Sequence, residues 1–139
     1  MRQAAGALDV HTAGRGLTEI TDQVGTWAAR QEMTLGLLTL FCRHTSASLL
    51  IQENASPAVR ADLEAFFERI APEDKALYLH DDEGPDDMPA HLRSALTCVQ
   101  LSIPLVEGRL ALGTWQGVFL FEHRRKAHTR QIALHLLGA

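Results

Sequence analysis

Residues 101–122, Leu101-Ser-Ile-Pro-Leu-Val-Glu-Gly108, Arg109-Leu-Ala-Leu112 and, after Gly113-Thr-Trp-Gln116, Gly117-Val-Phe-Leu-Phe-Glu122, decide the fold class of this chain. Leu101 to Val106 reads as a strand. Pro104 marks it as an edge or a bulge, because proline cannot donate to a ladder. Glu107-Gly108 is a turn. Leu110 to Leu112, Gly117 to Glu122 and Arg130 to Leu137 follow as further strands. Three or four strands in succession, with no helical period between them, are incompatible with a regular alternation of strand and helix. A doubly wound sheet is therefore rejected in favour of an α+β fold, compact and single-domain over residues 1–139, with packed, mostly antiparallel or mixed β-sheets and about three helices.

The N-terminal part fits that frame. Ala4 to His11 is a strand. Thr21 to Gln31 is helical, with Thr18 or Thr21 as cap and Ile20, Val24, Trp27 and Ala28 on one face. Leu35 to Cys42 is apolar at every position except Gly36 and Thr39, which predicts a strand covered on both sides. A short apolar piece, Ala47 to Ile51, comes next. Ser56-Pro57 starts a helix whose buried stripe is Val59, Leu63, Phe66 and Ile70. Ala76 to His80 reads as a strand. A last helix begins near Asp87, with Met88, Leu92, Ala95 and Leu96 inward and Pro89 tolerated in the first turn.

Composition narrows the function. The net charge of −4 argues against nucleic-acid binding, which rests on phosphate neutralisation. The cations are eleven arginines against only Lys75 and Lys126, and arginine favours bidentate contacts to carboxylate or phosphate. Cys42 and Cys98 are too few for a disulfide framework and read as small buried hydrophobes. No signal peptide or membrane-length apolar run is present, so the expectation is a cytoplasmic protein with no membrane partner.

The chemistry concentrates in His80-Asp-Asp-Glu-Gly-Pro-Asp-Asp-Met-Pro-Ala-His91, where two histidines bracket five carboxylates and no cation. So many like charges repel at short range, and a divalent cation removes the conflict. Histidine with carboxylate suits zinc, manganese or iron, while magnesium prefers carboxylates. The bland alternative is a solvated acidic loop. His44 ends the apolar strand and is trailed by Thr45, Ser46 and Ser48. These hydroxyls either bind phosphate oxygens or bond their own backbone. Trp115 and Gln116 offer a flat face and an amide suited to a heterocycle, or a core tryptophan beside a bulge. Arg124 or Arg125 reaches phosphate, or ends a strand in water.

Taken in order, His44-Thr-Ser-Ala-Ser-Leu49, Glu53-Asn54-Ala55, His80…Glu83-Gly84…Asp87-Met-Pro-Ala-His91 and Gly108-Arg-Leu-Ala-Leu-Gly-Thr-Trp-Gln-Gly117 followed by Glu122 resemble the YjbQ family, also described as secondary thiamine-phosphate synthase. The resemblance runs from about residue 8 to 138. It implies packed β-sheets, a homotrimer with sites near subunit boundaries, and a metal-associated histidine cluster. It also implies an activity that joins a pyrimidine pyrophosphate to a thiazole phosphate, giving thiamine phosphate and pyrophosphate.

Together the two readings predict one site. His44, His80 and His91 hold a divalent metal, zinc or magnesium, that assists departure of pyrophosphate. Thr45, Ser46, Asn54, Trp115, Gln116 and Arg124 bind a small phosphorylated substrate. Asp62 and Glu122 act as base or orient a substrate group. The alternatives are a non-enzymatic trimer that binds metal or a phosphometabolite, and a metal-dependent hydrolase.

Overall fold

A computed structural model describes residues 1–139. Eight strands form two antiparallel sheets. The larger contains β1 (Arg2–Thr12), β8 (His128–Gly138), β3 (Leu35–Cys42), β5 (Gln100–Val106) and β6 (Arg109–Leu110), in that spatial order. The smaller contains β2 (Gly16–Glu19), β7 (Gln116–Glu122) and β4 (Ala47–Glu53). Three helices complete the chain: α1 (Thr21–Ala29), α2 (Pro57–Ile70) and α3 (Asp87–Leu96). The fold class is the α+β, mostly antiparallel arrangement expected. No helix is long and apolar enough to cross a membrane.

Period-two alternation builds the core. Leu38 and Leu40 of β3, Ile132, Leu134 and Leu136 of β8, and Ile103 and Leu105 of β5 face Ala47, Leu49, Val118 and Leu120 of the smaller sheet in one cluster of buried side chains. The alternate residues of β7, Phe119 and Phe121, point the other way and are also fully buried. Phe67 of α2 meets Phe121 edge to face at 5.4 Å, and the Arg60 guanidinium lies 4.9 Å over the Phe119 ring. Strand β7 is thus covered on both sides, which explains its unbroken apolar sequence.

Several expectations need correction. Strand β3 is not covered on both sides: Leu35, Leu37 and Phe41 are exposed, as are Val106 of β5 and Leu137 of β8. The stripe of α2 is rotated. Phe67 is buried while Phe66 and Ile70 are exposed, because the Phe121 ring selects Phe67. Helix α3 is rotated likewise, burying Asp87, Ala90, Arg93 and Ser94 and exposing Leu96. Residues 76–80 form no strand; a 3-10 turn over Lys75–Leu77 replaces it. Neither Thr18 nor Thr21 caps α1. Ile20 holds that position, and the Thr21 hydroxyl donates to Glu19. Cys98 is exposed rather than buried.

Two glycines mark a close strand approach. A Cβ on Gly36 would come within 2.5 Å of the Leu137 carbonyl oxygen, and one on Gly138 within 2.1 Å of the Leu35 carbonyl oxygen. Gly25 in α1 is the contrast, with nothing within 4 Å of its Cβ position. We therefore expect Gly25→Ala to raise stability by about 0.5–1 kcal/mol. Gly36→Ala should lower it by about 1–3 kcal/mol through backbone crowding. Denaturant midpoints of the two variants test this; a Gly36→Ala protein as stable as the parent contradicts the packing described.

Candidate metal centre

Three connections meet at one end of the smaller sheet. Ala47 pairs with Glu122 there, and Glu53 pairs with Gln116 at the far end. The connections are residues 43–46 after β3, residues 123–127 after β7, and the acidic segment that leads into α3. Gly84 turns that segment at φ 99°, a conformation glycine adopts without strain. Asp87 then opens α3, and His91 follows one turn later on the same helical face.

The result is a compact cluster. Ligand atoms of His80, Asp87 and His91 lie within 4.8 Å of one another. His80 Nε2 is 2.8 Å and His91 Nε2 3.2 Å from the same atom, Asp87 Oδ2. His91 Nδ1 donates to the Thr45 carbonyl at 3.1 Å. That bond fixes the tautomer: with its proton on Nδ1, a neutral His91 turns the Nε2 lone pair toward a carboxylate oxygen. Two lone pairs facing each other repel, and either a proton or a metal cation removes the repulsion. His80 is exposed, and its hydrogen bond with Asp87 pushes its pKa up.

Asp87 is almost fully buried, and its other oxygen accepts from Arg124 Nη1 at 2.9 Å. Arg124 also donates through Nε to Asp86 at 3.0 Å and through Nη2 to the Glu83 carbonyl at 2.8 Å. Burial pushes the Asp86 carboxyl up, but the bonds from Arg124 and from the Arg125 N–H outweigh it and hold its pKa below the ordinary value. Arg124 therefore clamps the acidic segment, and its donors are not free for a phosphate.

His44 does not join this cluster. Its Nε2 accepts the Gln131 N–H at 2.8 Å. Burial, reinforced by the Arg130 charge, pushes its pKa down and keeps the ring neutral. Ser46 accepts from Arg130 through both its carbonyl and its hydroxyl. Glu122 is fully buried and accepts from Thr12, Arg130, and the His123 and Arg124 N–H groups. Burial pushes its carboxyl up, yet those bonds bring the pKa below the usual carboxylate value. Such a group anchors strands and has no open side toward a substrate. Asp62 lies exposed on the outer side of α2. Asn54, Trp115 and Gln116 sit at the opposite end of the β4–β7 pair, roughly 20 Å away at a strand rise of about 3.3 Å per residue. Trp115 is exposed rather than a core residue, Asn54 donates to Glu19, and Gln116 accepts the Gly113 N–H.

Of the residues singled out in the sequence, the structure brings together His80, His91, the Thr45 carbonyl and, through Asp87, Arg124. Asp87 is the member that sequence reasoning did not isolate. Its spacing was the available signal, since Asp87 and His91 are four apart and share a helical face.

A family model described as UPF0047 protein YjbQ-like matches residues 7–139. A UPF0047 protein of Synechocystis sp. is 50% identical over 137 residues, covering 99% of this chain and 93% of that protein. The UPF0047 protein YjbQ of Salmonella typhimurium is 46% identical over 125 residues, covering 89% and 90%. Among solved structures, a hypothetical protein from Aeropyrum pernix superposes with a TM-score of 0.88 at 28% identity, covering 98% and 99%. A conserved hypothetical protein from Thermus thermophilus gives 0.82 at 35%, covering 95% and 99%.

Behind the cluster, His123 is fully buried with Nε2 2.8 Å from Ser48 Oγ. Burial, aided by the charges of Arg93, Arg130 and Arg15, pushes its pKa down to about 3. The unfolded chain then binds a proton at His123 near pH 6.5 while the native state does not, so this group's contribution is lost as pH falls from about 6.5 toward 3. His44 acts in the same direction and His80 in the opposite one. We expect metal-free protein to lose stability between pH 6.5 and 4.5, and His123→Gln to lose up to about 2 kcal/mol less over that window. Urea titrations at both pH values check this, and parallel losses in the two proteins would exclude His123 as the cause.

Proposed function

The chain belongs to the YjbQ-like UPF0047 family, and on that premise we propose that it binds a divalent cation at His80, Asp87 and His91 and assists the condensation of a pyrimidine pyrophosphate with a thiazole phosphate. The observation that carries the reading is the convergence of two imidazole nitrogens and one carboxylate oxygen, with Asp87 locked by Arg124 and His91 by the Thr45 carbonyl. Three protein ligands with a fourth position open is the pattern of a catalytic rather than a structural zinc site. Two nitrogen donors out of three favour zinc, manganese or iron over magnesium. When bound, such an ion supplies Lewis-acid stabilisation of the charge that develops on a departing phosphate.

The chain's own residues do the rest. Thr45 holds the His91 ring with Nε2 inward. Arg124 holds both Asp86 and Asp87, which fixes the acidic segment over the site. In the condensation, the thiazole nitrogen lone pair forms a C–N bond to the pyrimidine methylene carbon. The C–O bond to pyrophosphate breaks, and its electron pair leaves with pyrophosphate. The attacking nitrogen bears no proton, so the step requires no general base. That agrees with Glu122 being enclosed and Asp62 being remote. A hydrolase would instead have to deprotonate a water.

The exposed apolar side chains Leu35, Leu37, Phe41, Val106 and Leu137 share the outer face of the larger sheet. An apolar sheet face of this kind supports a self-association surface. The resemblance gives the form as a closed homotrimer, and sites shared between subunits would allow the distant Trp115 and Gln116 of one copy to approach the cluster of another.

Metal analysis and turnover test the proposal together. We expect purified protein to carry about one zinc-like ion per chain, His91→Ala to lose it, and Arg124→Gln to weaken its binding by about 10–100-fold. Product should require both heterocycles. Release of phosphate from a single ester in water alone would favour the hydrolase. Ligand-induced melting shifts without turnover of either kind would leave a binding protein.

A further inference from the structure

With Arg124 committed to the acidic segment, other guanidinium groups are left to meet an anion. Arg15, Arg93 and Arg125 converge on a cleft of about 270 Å³ beyond the C-terminal end of α2. We propose that this cleft is a phosphate-binding subsite and that the Glu73 carboxylate is its built-in competitor, holding the anion position until a phosphate displaces it.

Three observations carry the inference. First, Glu73 is bridged between two arginines: Arg15 Nη2 donates to one carboxylate oxygen at 2.9 Å, and Arg125 Nη2 donates to the other. Two guanidinium groups on opposite oxygens of one anion is the arrangement by which arginines take phosphate as well as carboxylate. The Arg125 side chain is 62% exposed, so its pair with Glu73 adds little and is readily exchanged.

Second, the site carries unsatisfied donors. Arg93 is 1% exposed, and its Nε has no acceptor; the buried Nε of Arg15 has none either. Glu64 lies between them, with Oε1 2.6 Å from Arg93 Nη1 and 3.7 Å from Arg15 Nε, while its Oε2 is buried without a partner. Burying an unpaired donor is costly, and an anion in the cleft would supply the missing acceptors. With the Glu73 carboxylate displaced, these two buried N–H donors and the buried carboxylate oxygen beside them would match an anion that offers several acceptor oxygens and one hydroxyl. Monohydrogen phosphate and a singly protonated phosphate ester have that hydroxyl. Sulfate at neutral pH does not.

Third, once Glu73 gives up its position, the lining sets three guanidinium groups, Arg15, Arg93 and Arg125, against one carboxylate, Glu68, a balance that favours an anion.

The subsite does not rest on the metal reading, and the experiment separates them. Protein stripped with a chelator is titrated with inorganic phosphate, methyl phosphate and sulfate, and binding is read by calorimetry and by the 31P line width. We expect phosphate to bind the metal-free protein and sulfate to bind at least about tenfold more weakly. Arg125→Gln and Arg15→Gln should each weaken phosphate by about tenfold, Glu73→Gln should tighten it severalfold, and His91→Ala should leave it unchanged. If Arg15→Gln does not fold, Arg125→Gln and Glu73→Gln decide alone, since Arg125 is exposed. Tighter binding of methyl phosphate identifies the phosphoryl end of a metabolite as the ligand; tighter binding of inorganic phosphate identifies the free anion. No binding up to roughly 10 mM phosphate, binding indifferent to Arg125→Gln and Glu73→Gln, equal binding of sulfate, or binding abolished by His91→Ala would each overturn the proposal.

Discussion

A single buried carboxylate governs the functional end of this molecule. Glu122 lies fully enclosed at the last position of the most deeply covered strand. Taking a charge out of water costs several kcal/mol unless donors replace the solvent, and here they come from everywhere around it: Thr12 of β1, Arg130 of β8, and the backbone N–H groups of His123 and Arg124. The donors come from three segments: β1, β8 and the turn after β7. Satisfying one anion therefore fixes the turn after β7, draws β8 against it, and, through Arg130, pins the Ser46 carbonyl and hydroxyl of the loop after β3. The residues that reach the histidine cluster, Thr45 from one loop and Arg124 from the other, leave from segments that Glu122 has already set in place.

A second carboxylate does for the cluster what Glu122 does for the strands. Asp87 offers one oxygen to Arg124 and the other to both imidazoles. The arginine side is satisfied by the protein itself. The imidazole side has a donor only in His80, because His91 commits its proton to Thr45. The asymmetry leaves the charge need on the face lined by His80 and His91, and Arg124 prevents Asp87 from rotating away from it.

The sequence disclosed the strands and the class of fold more fully than the helix faces. Alternation in β8 and the apolar run of β7 are backbone-period signals that survive any tertiary context. The phase of α2 is not such a signal, since Phe66 and Phe67 are adjacent and either can start a stripe. Only the position of the Phe121 ring chooses Phe67, and that ring lies 54 positions further along the chain. Helix α3 was harder still, because its inward face carries Asp87 and Arg93, residues that a hydrophobic pattern assigns to solvent. In the site, the histidines bracketing five carboxylates were legible, as was a charge conflict calling for a cation. His44 was not separable, because a histidine at a strand end can aim its ring into either loop, and here the backbone N–H of Gln131 takes it. Trp115 looked like part of the same site only because sequence order hides the length of the strand pair between it and Glu122.

The pairing of β1 with β8, in which Arg2 faces Gly138 and Thr12 faces His128, sets the order in which the molecule can form. Strand β8 lies between β1 and β3 and hydrogen-bonds to both. During synthesis, both neighbours emerge long before the strand that joins them. Leu38 and Leu40 wait with one flank unpaired until residues 128–138 arrive. Contacts between such distant parts of a chain carry a large loop-closure entropy and belong to slow-folding topologies. The larger sheet is thus closed by a late, long-range step, and the interval before it, with apolar strands lacking their central partner, is when this chain is most exposed to association with the wrong neighbour.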